Sequence, residues 1–260
     1  MNTLLSTKQR VRESFDRAAA SYDAAASLQR LVCEQLLAAF QPASVPQCVL
    51  DAGCGTGYGL RLLRQRWPQT HLVGLDFAPA MLQLARQDAD ALIAADVETL
   101  PCADGSFDVW LSSLTVQWCD AARTFREAAR VLRPGGHLAV STLGPQTFHE
   151  LRAAFGVIDD YRHTLTFSEP AAISDALQDA GFSNIDLCRQ TQCVHYSDLK
   201  TLLHAVKAIG ANSVGDGARS SLFGKRAWRA VQNAYESFRT SEGLPARYDV
   251  LIAYANKADM

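Results

Sequence analysis

The sequence predicts an α/β protein with a doubly wound, mostly parallel sheet that is covered by helices on both faces. Short apolar segments alternate with helical segments of about ten residues, which is the pattern of βαβ units. The first apolar segment runs directly into a glycine-rich turn, VLDAGCGTGYG, as expected at a strand-to-helix junction that binds a ligand. With 260 residues, 48% of them hydrophobic, the chain can bury a large core.

The first 144 residues supply a helical cap and the predicted ligand-binding core. Residues 8–40 have helical spacing of apolar side chains, and the prolines of QPASVP (41–46) end this helix. The core covers residues 45–144. Its predicted strands are 48–53, 71–76, 91–96, 107–113 and the end of RPGGHLAVSTL, and its predicted helices are 58–67, 78–88 and 121–132.

The strand–helix alternation changes after residue 144. Residues 145–181 read as two helices joined by the polar stretch DDYRHTLTFSEP, and residues 184–196 read as a strand. Residues 198–243 are helical around a glycine-rich interruption, and residues 247–255 form the last strand. We therefore expect a single domain, 1–260, in which 145–181 and 198–243 are helical lid insertions over the site.

Charge and cysteine content narrow the class of partner. The formal charge is −2, which argues against a nucleic-acid or membrane partner. Residues 198–247, however, carry eight basic side chains against four acidic ones, which suits an acidic partner. The seven cysteines follow no metal or disulfide spacing, and no segment reads as a signal peptide or a membrane span. We expect a soluble, cytoplasmic protein without a bound metal, and favour a monomer.

The glycine turn excludes two common phosphate-binding motifs. A dinucleotide fingerprint would need glycine at 58 or 60, where Tyr58 and Leu60 stand, and no Gly-Lys-Ser/Thr follows for a P-loop. The turn instead has an acid at the strand end and alternating glycines: Asp51, Gly53, Gly55 and Gly57. We expect the bare backbone of this turn to lie against a ligand.

This arrangement resembles motif I of the class I S-adenosylmethionine-dependent methyltransferases. Asp76 ends the second strand, Asp96 ends the third, and RVLRPGG precedes the fifth, each at the place that this family predicts. The resemblance implies that Asp51 lies near the methionine ammonium, Asp76 binds the ribose hydroxyls and Asp96 binds the adenine amino group. It implies S-adenosyl-L-methionine as cofactor and a set of binding residues: Gln29, Asp51, Gly53, Gly55, Gly57, Asp76, Phe77, Met81, Asp96, Val97 and Leu114.

A narrower resemblance extends over nearly the whole chain. The segments SFDRAAASYDAAASLQ, FDVWLSSLTVQWC, KAIGAN and FRTSEGLPARYDVL are similar to the malonyl-acyl-carrier-protein O-methyltransferases of biotin synthesis. These enzymes methylate the free carboxylate of a malonyl thioester, so that fatty-acid synthase can elongate the chain to the pimeloyl precursor. Family members often have His-x-Asn-x-Phe after the first insertion. Here the stretch is HTLTF, with Leu165 at the asparagine position.

The reaction that this resemblance implies needs positioning more than acid–base catalysis. A malonyl carboxylate is already ionised at pH 7, so no general base is required, and a closed site with few polar groups is expected. The candidates for substrate positioning are Tyr22, Trp118 and His163, with Tyr22 and Gln29 in the roof. The partner would be malonyl-acyl-carrier protein, or malonyl-coenzyme A, and a basic lid surface would dock the acidic carrier: Lys207, Arg219, Lys225, Arg226 and Arg229.

Three alternatives remain open from the sequence. A methyltransferase that acts on a small-molecule carboxylate or a quinone-type substrate could share this core. A non-catalytic scaffold would be expected to lose the glycine turn or Asp76, and both are present. A nicotinamide oxidoreductase is disfavoured by the failed dinucleotide fingerprint.

Overall fold

The computed structural model of the chain describes residues 7–159, 161, 163–208 and 224–258. At its centre is a seven-stranded sheet in the order β3-β2-β1-β4-β5-β7-β6. β7 runs antiparallel to both of its neighbours, and the pairings among β1 to β5 are all parallel. The strands are Cys48–Ala52 (β1), His71–Asp76 (β2), Ala91–Ala94 (β3), Phe107–Ser113 (β4), Leu132–Leu143 (β5), Phe182–Tyr196 (β6) and Leu244–Lys257 (β7).

Helices cover both faces of this sheet, as the alternating pattern predicts. Within the described ranges they are Thr7–Ala25 (α1), Ser27–Ala39 (α2), Tyr58–Arg66 (α3), Pro79–Ala85 (α4), Ala121–Val131 (α5), His149–Phe155 (α6), Pro170–Asp179 (α7), Leu199–Ala208 (α8) and Lys225–Glu236 (α9). A short 3₁₀ turn, Val116–Trp118, follows β4. The pair α8 and α9 lies between β6 and β7 in the chain, as an insertion would.

Neighbouring residues of the central strands enter opposite faces of the core. Val49 of β1 packs on the side that holds Val32 of α2 and Leu60 of α3, whereas Leu50 packs with Trp110 and Phe125 on the other side. All six side chains are fully buried. Burial on both faces explains why β1 is apolar at consecutive positions rather than at alternate ones.

The N-terminal segment differs from its prediction. The sequence predicts one helix over residues 8–40, but the structure breaks it at Ala26, whose φ of −86° and ψ of 35° leave the regular helix. The two halves have different partners, since α1 packs on α4 and α8 while α2 packs on α3 and the sheet. The apolar stripe therefore changes direction at Ala26, and α1 is free to lie across the carboxyl ends of the strands.

A buried carboxylate, Asp249, fixes the strands beside the lid insertions. Asp249 of β7 is 2% exposed and accepts two hydrogen bonds from Arg189 of β6, at 2.7 and 2.8 Å. The same carboxylate accepts from the backbone N–H of Gln146 at 2.9 Å, and Gly144 must be bare because a Cβ would lie 2.5 Å from it. Asp249 therefore fixes the loop that leads from β5 into α6.

Replacing Asp249 should destabilise the protein more than removing a surface carboxylate does. Asp249→Ala leaves the Gln146 N–H without its acceptor, for a loss of about 1–3 kcal/mol, and the pair with the exposed Arg189 adds little to this. We expect Tm to fall by about 5–10 °C in thermal unfolding. Asp186→Ala, an exposed position on β6, is the matched control, and an equal shift in both variants would contradict this assignment.

Candidate functional site

Two buried carboxylates mark the carboxyl ends of β1 and β2. Asp76 is 8% exposed, and its two oxygens accept from the backbone N–H groups of Gly55 at 3.0 Å and Ala78 at 2.8 Å. Burial raises the pKa of Asp76 to about 6, against the opposing effect of these hydrogen bonds. Each oxygen keeps a second acceptor position, so the carboxylate is oriented in advance to accept two further hydrogen bonds.

Asp51 is the more unusual of the two. It is 3% exposed, and no donor among the described residues makes a hydrogen bond to its side chain. Burial, with a smaller contribution from the charge of Asp76, raises the pKa of Asp51 to about 7. An ionised carboxylate in this position requires a cationic partner, and no lysine, arginine or histidine of the described residues forms an ion pair with it.

The positions of this turn are glycine for different structural reasons. Gly53 has a φ of +82°, and a Cβ there would meet Thr115 at 2.1 Å. A Cβ on Gly59 would lie 2.7 Å from the carboxylate of Asp51. Gly55, at a φ of +52°, faces open space, so a ligand can approach its backbone. Packing within the protein therefore explains glycine at 53 and 59, and Gly55 is the turn position with nothing against it. Ligand contact with the turn backbone stays a prediction.

Three connected chambers lie above these strand ends. The first, of about 620 Å³, contains Asp76 and is called the Asp76 chamber. It brings together most of the predicted cofactor residues: Gly53, Gly55, Asp76, Phe77, Met81, Asp96, Val97 and Leu114. Gly57 lies outside all three chambers, where a Cβ would meet Ala85 at about 3 Å.

The second, the Asp51 chamber of about 470 Å³, lies on the other side of the glycine turn. Tyr22, Gln29 and Gly55 line it together with Asp51. Gln29 is therefore placed at the Asp51 end of the predicted cofactor site and not at the Asp76 end. Its side chain makes no hydrogen bond within the described part of the chain, which leaves its amide able to contact a ligand.

The third, the apolar chamber of about 1040 Å³, lies beneath the lid insertions. Tyr22, Trp118 and His163, the three predicted positioning residues, all line it. His163 stacks on Phe155 and pairs with Asp159 at 2.8 Å. Its other walls are mainly aliphatic and aromatic: Leu28, Leu143, Phe148, Leu151, Leu165, Phe167, Leu203 and Val206. Leu165 thus presents an apolar side chain where the sequence resemblance predicts asparagine.

Tyr22 is the side chain at which the three chambers meet. It lines all of them, and its hydroxyl makes no hydrogen bond within the described ranges. Burial, with smaller contributions from Asp76 and Asp23, raises the pKa of Tyr22 well above its usual value, so the hydroxyl stays protonated. Phe15 and Trp118 stand beside it, in edge-to-face contact with ring centroids 5.6 Å apart.

Helix α1 is attached across the chambers by polar contacts at three places. Lys8 pairs with Asp96 at 2.5 Å and with Glu98 at 2.7 Å. Asp16 accepts from the backbone N–H of Ala80 at 3.0 Å, at the start of α4. Near the other end, Asp23 accepts a 2.6 Å hydrogen bond from Thr56 in the glycine turn. The helix therefore forms a roof from the Asp96 end of the site to the Asp51 end.

Three residues of the site were not predicted from the sequence. Lys8 and Phe15 line the Asp76 chamber, and only the crossing of α1 over the strand ends brings them there. Gln117 lines the apolar chamber, where its Nε2 donates to the carbonyl of Leu114 at 2.5 Å. Its Oε1 accepts from Thr142 at 3.3 Å, so both ends of the amide are fixed. Of these three residues, Phe15 alone gives a signal in the sequence, because it lies on the apolar side of the helical pattern. Core packing explains that pattern equally well.

The basic lid residues are exposed, as their predicted role in docking requires. Lys225, Arg226 and Arg229 lie on the exposed surface of α9, and Lys207 lies at the end of α8 on the wall of the apolar chamber. None of these four side chains has an acidic partner in the described ranges. Arg219 lies outside the described residues.

Two findings concern other classes of site. Among the residues that the structure describes, no group of three metal-ligating side chains comes together. Over the same ranges, every helix is too short or too polar to cross a bilayer.

The residues present fit a cationic nucleoside. Asp51 is a buried acceptor that receives no hydrogen bond from the residues the structure describes, which suits an ammonium group. Asp76 offers two oriented acceptor positions, which suit a pair of hydroxyls. Together with a sheet in which β7 lies antiparallel between β5 and β6, these chambers define a class I methyltransferase.

Comparison with known proteins agrees with this class. The Methyltransferase domain family matches residues 50–140. Malonyl-[acyl-carrier protein] O-methyltransferase of Dechloromonas aromatica (strain RCB) is 50% identical over 96% of this chain and 95% of its own length. Biotin biosynthesis bifunctional protein BioHC of Teredinibacter turnerae is 36% identical over 96% of this chain and 47% of its own length.

A solved structure supports the fold alone. Phosphoethanolamine N-methyltransferase 2 of Haemonchus contortus, in complex with S-adenosyl-L-methionine, superposes with a TM-score of 0.60 at 17% identity. The match covers 98% of this chain and 60% of that one. The predicted class I methyltransferase fold is thus confirmed. The chain belongs to the malonyl-[acyl-carrier protein] O-methyltransferase family.

Replacing Asp51 should separate ligand binding from stability. The ligand-free protein binds more protons at Asp51 than the unfolded chain does, so this residue lowers stability as the pH rises from about 4 to about 7. Asp51→Asn removes that cost, and we expect the ligand-free protein to gain up to about 4 kcal/mol at pH 8 but little at pH 4. In thermal unfolding, the variant should also lose the stabilisation by S-adenosylhomocysteine.

Asp175→Asn, an exposed position on α7, is the matched control and should behave as the wild type in both respects. An Asp51→Asn protein that S-adenosylhomocysteine still stabilises fully would contradict the assignment of Asp51 to the ammonium group.

Proposed function

We propose that this protein transfers a methyl group from S-adenosyl-L-methionine to the free carboxylate of a malonyl thioester carried by acyl carrier protein. The product would be the methyl ester that enters biotin synthesis. The observation that carries the proposal is the junction at Tyr22, where two chambers with buried carboxylates open onto an apolar chamber under the lid. The names of the relatives support the choice of substrate and pathway.

The cofactor would lie across the two acidic chambers. Asp51 would bind its ammonium, Asp76 its ribose hydroxyls, and Asp96 its adenine amino group. When bound, S-adenosyl-L-methionine supplies an electrophilic methyl group on a positively charged sulfur. We assign the surrounding contacts to Gln29, Gly53, Gly55, Phe77, Met81, Val97 and Leu114, all of which line these chambers.

The chain's own contribution to the reaction is orientation and exclusion of water. A malonyl carboxylate is ionised at neutral pH, so the protein removes no proton. Tyr22 and Gln117 offer neutral donors on the wall of the apolar chamber, and Trp118 closes its border with the Asp76 chamber. Neutral donors orient the carboxylate without an ion pair that would weaken it as a nucleophile. His163 is the further candidate for contact with the substrate.

The charges of the lid suit an acidic carrier protein. Lys225, Arg226 and Arg229 place three positive charges on α9, and none of them has an acidic partner among the described residues. Helix α9 packs on α6 beside the apolar chamber. Complementary surfaces of this kind speed and orient association rather than supply most of the affinity. We assign the docking of the carrier to this surface, together with Lys207 and Arg219. The coenzyme A thioester is the alternative form of substrate.

We further propose that the protein works as a monomer in the cytoplasm, with neither nucleic acid nor membrane as a partner. The near-neutral charge of the chain and the absence of a disulfide spacing among its seven cysteines support this.

A transfer assay tests the proposed function. Methyl-labelled S-adenosylmethionine is incubated with malonyl-acyl-carrier protein, malonyl-coenzyme A or free malonate. Label in a base-labile ester on the thioesters, but not on malonate, is the expected result. Binding of S-adenosylhomocysteine without transfer to any of the three would contradict the assigned substrate and favour a small-molecule methyltransferase.

Removing the Tyr22 hydroxyl should slow transfer without releasing the cofactor. Tyr22→Phe keeps the ring that packs beside Phe15 but loses the donor to the carboxylate. We expect kcat/KM to fall about tenfold to a hundredfold, while the Kd of S-adenosylhomocysteine by calorimetry changes less than threefold. Tyr254→Phe is the control, because that hydroxyl donates to Leu36 away from the chambers. A fall in kcat/KM for both variants would argue against a positioning role.

Reversing two lid charges should affect only the carrier-bound substrate. With Lys225→Glu and Arg229→Glu combined, we expect KM for malonyl-acyl-carrier protein to rise about tenfold and the Kd of S-adenosylhomocysteine to stay constant. Arg86→Glu, exposed just after α4, is the control for a change in net charge. An unchanged KM in the double variant would remove the docking assignment.

A further inference from the structure

A basic groove adjoins the mouth of the apolar chamber and, apart from Lys207, shares no residue with the site described so far. It lies between α1 and α8, measures about 830 Å³, and is open to solvent along its length. Arg17, His204 and Lys207 line it, with the hydroxyls of Ser14 and Ser21 at its base. Lys207 lines both this groove and the apolar chamber, so the two cavities adjoin at that side chain.

The formally charged side chains that line the groove, Arg17 and Lys207, are both basic. No acidic side chain of the described residues lines it, although the chain as a whole carries a formal charge of −2. Arg17 makes one loose pair along its own helix, with Glu13 at 3.6 Å, and its side chain is 68% exposed. Lys207 is exposed and has no acidic partner within the described ranges. An anion entering the groove would therefore replace water and not an existing ion pair.

The position of the groove decides which anion it suits. In the proposed function, the reacting carboxylate lies at Tyr22 and the thioester arm leaves through the apolar chamber. An arm of the pantetheine type ends in a phosphate, and that phosphate must emerge where the chamber opens. Lys207 stands at that opening, and an ammonium on a flexible stem is a common partner for phosphate.

We propose that Lys207, with Arg17 and His204, binds the phosphate at the end of the substrate's pantetheine arm. This inference rests on the proposed function and adds a binding subsite to it. The phosphate can come from the prosthetic arm of a carrier protein or from coenzyme A, since both attach it at the same end of pantetheine. The subsite thus recognises the arm itself, separately from the surface of the carrier.

The test compares malonyl thioesters that differ only at that end. Malonyl-pantetheine has no phosphate, and malonyl-4′-phosphopantetheine has one. In malonyl-coenzyme A this phosphate is part of a diphosphate, and in malonyl-acyl-carrier protein it is part of a phosphodiester. For the wild type, we expect KM for malonyl-4′-phosphopantetheine to be about tenfold below that for malonyl-pantetheine. Lys207→Met should bring this ratio close to one, and Lys207→Arg should preserve most of it.

Lys200→Met is the matched control, because Lys200 is an exposed lysine on the same helix, outside the groove, and should leave the ratio unchanged. Equal KM values for the two small thioesters in the wild type would overturn the proposal, as would a Lys207→Met protein that keeps the ratio. Both outcomes presuppose methyl transfer to the thioesters. A wild type that methylates none of them contradicts the proposed function instead, so the two failures are distinguishable.

The assays with malonyl-acyl-carrier protein and with malonyl-coenzyme A identify the source of the phosphate. If Lys207→Met raises KM for malonyl-acyl-carrier protein and malonyl-coenzyme A alike, the subsite binds the phosphate of both substrates. A rise with the carrier protein alone would contradict a phosphate subsite and assign Lys207 to the protein–protein contact.

Discussion

The site depends on one electrostatic constraint. A carboxylate is buried at the end of β1, and no residue that the structure describes donates a hydrogen bond to it. Asp51 is placed there by the strand, and the space around it exists because Gly59 has no side chain. Asp76 stands nearby and raises the pKa of Asp51 further. A second buried negative charge entering from the apolar chamber would be repelled, so a carboxylate substrate is expected to bind well only after a cation is in place. This favours an order of binding in which the cofactor comes first.

Helix α1 connects this constraint to the substrate. Its contacts at Lys8, Asp16 and Asp23 attach it to three different strand-end loops, so its two aromatic side chains, Phe15 and Tyr22, are positioned by the same elements that form the cofactor site. The substrate chamber is thus completed by a helix whose attachment points surround the cofactor. Closing the roof over the cofactor also brings Tyr22 to the border of the substrate chamber and excludes water from both.

The sequence alone was enough to predict the sheet, the glycine turn and the acids at the strand ends, because these follow from local pattern and from the chain order of βαβ units. Asp51, Asp76 and Asp96 lie at one edge of the sheet because the strands are parallel. The break at Ala26 was not predictable, since helical spacing continues through it and only the different packing partners of α1 and α2 demand it. Lys8 and Gln117 were not predicted for a related reason. They line the chambers only because α1 and the 3₁₀ turn pack against the strand ends, and local sequence does not predict such long-range packing. At Gly53 and Gly57 the local pattern does not distinguish ligand contact from packing, because a Cβ there would meet Thr115 or Ala85.

Proton release on cofactor binding tests the central electrostatic claim most directly. Calorimetric titration with S-adenosylhomocysteine at pH 6.5, in two buffers of different ionisation enthalpy, gives the number of protons exchanged. Because the pKa of Asp51 is about 7 in the ligand-free protein and must fall beside an ammonium group, we predict that between half a proton and one proton is released. The release should disappear in Asp51→Asn and decline above pH 8. Binding without proton exchange at pH 6.5 would contradict the account, because Asp51 would then be ionised before the ligand arrives.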